Sequence, residues 1–183
     1  MSNLVDKFLF LATGGTIEFV PNQSQKVKYG ESNTTYQEPD FRTDSIIPDY
    51  LVGNHPNLSY DFRQICMKDS KDVRVRELAA IKRAISESNN RYVIITHGTD
   101  TMVENAQTLE KWLDESDSDK VIVFAGAFRP LEEGLSDGEV NLSYAIQNAH
   151  NLKPGVYISA NKQIYDCKEV VKDFDRGEFV PLR

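Results

Sequence analysis

Two short segments pack hydroxyls and glycines into tight loops, and the second adds a carboxylate. They are Thr13-Gly14-Gly15-Thr16-Ile17 and Thr96-His97-Gly98-Thr99-Asp100-Thr101, two loops that could surround one small polar substrate. Gly14 and Gly15 let the backbone turn sharply and approach a ligand closely, although an isolated Thr-Gly-Gly is more often a plain strand-to-loop turn. Unpaired N–H groups where a helix starts after Gly98 suit a carboxylate. Asp100 beside them suits an ammonium, so the pair fits a zwitterion. The bland reading of Asp100 and Thr101 is N-capping, with Thr101 and Glu104 as a capping box. His97 reads as a buried hydrogen-bonding residue rather than a catalyst.

Both segments follow apolar runs, and elements of alternating type must position them. Phe8–Ala12, Tyr92–Ile95, Val121–Ala125 and Val156–Ala160 are continuous apolar stretches, as expected for strands covered on both faces. Helical periodicity runs through Val73–Ser88 and Thr101–Leu113, and a third helix is expected from about Glu139 to Asn151, capped by Asp137 or a neighbour. The alternation implies an α/β domain with a mostly parallel sheet, whose ligands sit at the carboxyl ends of strands. The polar segment from Glu18 to Asp44 reads as a long loop or irregular hairpin, of the kind that forms functional lids or stays disordered.

Composition removes several classes. The chain has 183 residues, 40% hydrophobic and 27% charged, which fits one soluble globular domain. A net charge of −7 argues against binding a nucleic-acid backbone. No run approaches the roughly 20 apolar residues of a membrane span, and the run after Lys7 is too short for a signal-peptide core. Cys66 and Cys167 are far apart and read as reduced thiols, pointing to a cytoplasmic protein. His55, His97 and His150 form no metal-ligand spacing, so no metal and no cofactor is expected. The sequons at Asn33, Asn57 and Asn141 read as chance matches. G-x-G-x-x-G and P-loop patterns are absent.

The two opening segments, extended to Ala12–Ile17 and Thr96–Met102, resemble the signature motifs of the bacterial-type L-asparaginase family. Asp69-Ser70-Lys71-Asp72 resembles that family's substrate-binding segment. Gly126-Ala127-Phe128-Arg129-Pro130, followed by Ser136-Asp137-Gly138 and Asn141-Leu142, resembles a further pair. These motifs occur in family order from residue 8 to about 160. The resemblance implies a three-layer, doubly wound α/β fold with a mostly parallel sheet, like the N-terminal domain of L-asparaginases. It implies one such domain over 1–183 without the family's smaller C-terminal domain.

By the same resemblance, Thr13 is the nucleophile, Thr99 the second catalytic threonine, and Asp100 the group that grips the substrate's amino group. Ser70 binds the substrate carboxylate, with Gly14 and Gly98 lining the site. Tyr29, with Tyr36 as a rival, assists the nucleophile. N–H groups near the glycines stabilise the oxyanion, a term of roughly 3–4 kcal/mol per donor. The implied reaction is hydrolysis of the side-chain amide of asparagine or a related small amide through a threonine acyl-enzyme. The family's lysine, which activates the second threonine, is expected near the end of the helix after Asn141-Leu142. That place holds His150-Asn151-Leu152 with Lys153 just beyond, so the lysine is read as missing. This leaves a second reading open, a non-catalytic module binding aspartate or asparagine, and a third, a non-catalytic subunit. A homodimer or higher homo-oligomer is also expected, with no nucleic-acid or membrane partner.

Overall fold

A computed structural model of the chain describes residues 7–20, 42–114, 117 and 119–182. Among these, the elements in chain order are β1 (Phe8–Gly14), α1 (Ile47–Asn54), β2 (Tyr60–Lys68), α2 (Val75–Ser86) and β3 (Tyr92–Thr96). They continue with α3 (Met102–Trp112), β4 (Val121–Ala125), α4 (Asp137–Asn148), β5 (Gly155–Ala160), β6 (Gln163–Asp166), β7 (Val170–Asp173) and β8 (Glu178–Pro181).

The sheet runs β2-β1-β3-β4-β5-β6, and β7 pairs with β8 in a separate hairpin. Pairing is parallel from β2 through β5 and antiparallel at β6. Period-two alternation of side chains splits each central strand between two cores. Leu9, Leu11, Val93, Ile95, Ile122 and Phe124 face α2, α3 and the β7–β8 hairpin. Phe8, Phe10, Ile94, Val121 and Val123 face α1 and α4. Burial on both sides is why these strands read as unbroken apolar runs, and the result is the three-layer α/β fold expected from the resemblance.

The four expected strands are present. The helices run shorter than expected, at Val75–Ser86 and Met102–Trp112, and the third starts earlier, at Asp137, capped by Ser136. Elements not expected are α1, β2 and β6 to β8. β2 is an edge strand with a half-exposed, charge-interrupted pattern, so it lacks the continuous apolar signature. Of the polar segment, Thr16–Glu18 forms a 3₁₀ turn, and residues 21–41 lie outside the described residues.

Strand order reverses between β1 and β3, since the chain turns to β2 on one side of β1 and to β3 on the other. Such a switch point opens a crevice beyond the carboxyl ends of the two strands. Both opening motifs emerge there. The β1–β2 register also breaks at this end: Ala12 pairs with Gln64, but Gly14 pairs with Lys68. Two extra residues of β2 bulge beside Thr13, a common device next to functional sites.

Candidate active site

Thr13 sits at the broken end of β1, fully buried, and its hydroxyl donates to the Thr96 carbonyl of β3 at 2.6 Å. The first and second motifs are thus joined by the candidate nucleophile itself. Glycines bring the backbones together. A Cβ at Gly15, whose φ is +80°, would lie 2.3 Å from the Gly98 nitrogen; one at Gly98 would lie 2.8 Å from the Ser70 Cβ. Only glycine permits that approach, so three separate motifs stack backbone against backbone around one spot.

Ser70 is buried in a 3₁₀ turn after β2, whose leading Asp69 carboxylate accepts from the Lys71 N–H at 2.8 Å. The Ser70 carbonyl accepts the Thr101 hydroxyl at 2.8 Å. Thr101 therefore does not close a capping box; it occupies the N-cap position of α3 while its side chain ties that helix start to the Ser70 turn. Asp100 does not cap either, because its carboxylate is taken by two lysines.

One of those, Lys172 on β7, was not expected. Its Nζ donates to Thr99 Oγ1 at 2.9 Å and to Asp100 Oδ1 at 2.5 Å. The rings of Phe128 and Phe174 lie 5.2 and 4.9 Å from the ammonium, and only 7% of the side chain is exposed. The expectation of a missing lysine is therefore corrected: a lysine reaches the second threonine. It comes from a hairpin that folds back against α3, not from the end of α4. Lys153 is exposed just before β5, at the amino end of that strand and hence at the opposite edge of the sheet. The signal that could have found Lys172 is alternation. Val170 and Lys172 are the buried positions of Val170-Val171-Lys172-Asp173.

Electrostatics follow from these contacts. Burial pushes the Asp100 carboxyl up, but Lys172 and Lys71 together hold it below the usual carboxylate range. His97 is fully buried, and burial drives it down to about 4, so it is neutral near pH 7. Its Nδ1 lies 2.7 Å from the Gly98 carbonyl, which can only accept, so Nδ1 carries the hydrogen and Nε2 accepts from Asn105 at 3.0 Å. That is a structural histidine, as expected. Cys66 lies 3.5 Å from the Thr13 carbonyl, yet burial raises its thiol to about 11, which disfavours a thiolate nucleophile.

Glu18 was also missed. It directly follows the first motif and is fully buried. Its carboxylate accepts from the Thr96 hydroxyl at 2.5 Å and from the Ser45 hydroxyl. Burial raises its carboxyl against those hydrogen bonds and the charge of Arg42. Gly15 N–H meanwhile donates to the Lys68 carbonyl at 2.9 Å. The Gly15 N–H is thus taken by a backbone carbonyl and is not a free donor for an oxyanion. Tyr29 and Tyr36 lie outside the described residues.

The remaining motif residues build the floor. Asp137 accepts from the N–H groups of Phe128 and Arg129, and Asn141 donates to the Gly126 carbonyl at 2.9 Å. Asn141 is buried, so its sequon is not a surface acceptor. None of the described helices is long and apolar enough to cross a membrane.

The family model for the N-terminal domain of asparaginase matches residues 7–175. A protein of Haemophilus influenzae named as a probable periplasmic L-asparaginase is 31% identical over 169 residues, covering 88% of this chain and 45% of the relative. An L-asparaginase of Thermococcus kodakarensis is 28% identical over 155 residues, covering 84% of this chain and 43% of its own length. Among solved structures, a probable cytoplasmic L-asparaginase of Campylobacter jejuni aligns with a TM-score of 0.71 at 28% identity, covering 91% of this chain and 49% of that one. L-asparaginase I of Vibrio cholerae shares the fold, with a TM-score of 0.74 at 20% identity, covering 96% of this chain and 51% of that one. The chain spans about half the length of these relatives.

Proposed function

The chain belongs to the asparaginase family, matching the model for its N-terminal domain, and on that footing we propose that it is an amidohydrolase. In this reading it cleaves the side-chain amide of asparagine or a related small amide and releases ammonia. The observation that carries the proposal is the contact of Lys172 with both Thr99 and Asp100, in the loop that packs through Gly98 against Gly15.

The Thr13 hydroxyl leaves its bond to the Thr96 carbonyl and attacks the amide carbon, forming a tetrahedral oxyanion. The C–N bond then breaks, the departing nitrogen takes the hydroxyl proton, and ammonia leaves an acyl ester on Thr13. Water adds to that ester through Thr99, with Lys172 Nζ relaying the proton that is displaced. Collapse frees the acid and returns a proton to Thr13. Ser70 and Asp100 orient the substrate, and Tyr29 is assigned to assist the nucleophile. A positioned base contributes typically 10²–10⁴-fold, and holding the reacting groups together supplies much of the rest.

The binding-module reading rested on a lysine read as missing and on a second domain read as absent, and Lys172 beside Thr99 removes the first of these supports. Residues 1–183 acting as one N-terminal-type domain, a cytoplasmic location consistent with the free thiols of Cys66 and Cys167, and self-association belong to the same proposal. A monomeric mass by light scattering at micromolar concentration overturns the last. Ammonia release from a panel of amides tests the activity itself.

A further inference from the structure

Asp100 holds two ammonium groups at once. Its Oδ1 is 2.5 Å from Lys172 Nζ and its Oδ2 is 2.8 Å from Lys71 Nζ. The two lysines stand differently. Lys172 is buried, bonded to Thr99 and bracketed by Phe128 and Phe174. Lys71 has 69% of its side chain exposed. Its backbone is fixed, because its N–H is held by Asp69 and its neighbour Ser70 packs on Gly98. The flexible stem can therefore swing from a fixed root.

Together Asp100, Lys71 and Lys172 leave one net positive charge where a ligand meets Ser70. An amino-acid amide brings an ammonium as well as a carboxylate, and its ammonium must take Asp100 Oδ2 from Lys71. An amide of a dicarboxylic acid without the α-amino group brings only the anion. It leaves the Lys71–Asp100 pair intact and gains from the local positive charge. We infer that Lys71 is a specificity-determining residue, a tethered stand-in for a substrate ammonium, that biases the site toward acyl amides lacking an α-amino group. This role rests on the reading of the site as one for small amides. Specificity here comes from a built-in competitor as much as from attraction.

Aspartate and succinate, the two acid products, differ only in the α-amino group and serve as probes. Calorimetric titration is made with the wild-type chain, Lys71→Met and Lys71→Arg. Exposed ion pairs are weak, so the expected shifts are about two- to fivefold. In Lys71→Met the aspartate Kd falls and the succinate Kd rises; Lys71→Arg keeps the wild-type order. Two Kd values that move in the same direction, or do not move, overturn the role of Lys71. Absence of binding by both acids in every variant overturns the site reading and the role of Lys71 with it. Opposed shifts in a protein that releases no ammonia uphold Lys71 and overturn only the hydrolysis.

Discussion

Lys172 Nζ lies 2.9 Å from Thr99 Oγ1, although the two residues are 73 positions apart. The β7–β8 hairpin spans that separation by packing Val170 and Phe179 into the core that α3 and β5 share. The lysine is thus delivered by the burial of two apolar neighbours, and the hairpin is as much a part of the site as the two threonine loops.

Lys172→Met keeps the length of the side chain and removes the amine. Ammonia release by this variant is expected to fall by about 10²–10⁴-fold, the range of a lost positioned base. Thermal stability is expected to fall modestly, because partly exposed Asp100 keeps Lys71 as a partner but loses Lys172. An unchanged turnover number removes Lys172 from the mechanism.

Glu18→Ala leaves the hydroxyls of Thr96 and Ser45 without their buried acceptor. At about 1–3 kcal/mol per unsatisfied group, denaturant unfolding is expected to show a loss of roughly 3 kcal/mol or more. The carboxyl is raised in the folded state, so its contribution is fully present below about pH 4.5 and is lost as pH rises through the folded value. Glu18→Gln has no such loss. Its stability relative to wild type is expected to improve from pH 4.5 upward, and a difference independent of pH contradicts this.

His97 works in the opposite sense. Its folded value of about 4 lies below the ordinary 6.5, so the unfolded chain takes up a proton first as pH falls. Stability is present above pH 6.5 and is lost between about 6.5 and 4, by at most roughly 3 kcal/mol at about 1.4 kcal/mol per pH unit. Chemical denaturation at a series of pH values checks the slope, and His97→Gln should flatten it.

Gly15→Ala places a methyl carbon against the Gly98 backbone at a φ of +80°. The expected cost is about 1–3 kcal/mol from backbone strain alone, with further loss because the two motif loops must separate. A melting temperature equal to wild type contradicts the close stacking of the loops.

The central strands were legible because burial on both faces leaves no polar position to interrupt them, as in Tyr92–Thr96. The convergence of Thr13, Ser70, Thr99 and Asp100 was legible because each stands in a motif that resembles the family's, and the fold draws those motifs to one end of the sheet. Lys172 was not. It lies on a four-residue strand whose pairing partner follows it, and nothing in Val170–Asp173 says which element the hairpin will cover. Glu18 was hidden for another reason. It opens a polar segment, and its burial depends on Ser45 and Thr96, which sequence order places far from it. Thr101 and Glu104 had the letters of a capping box, but the Ser70 carbonyl offered the hydroxyl a tertiary partner that local spacing does not show.

The most direct measurement is ammonia release from asparagine, glutamine and related small amides by the wild-type chain and by Thr13→Ala. The account predicts release by the wild type on at least one amide and a loss of several orders of magnitude in the variant, with the fold retained. Equal rates for the two proteins, or no release by the wild type on any amide, contradict it.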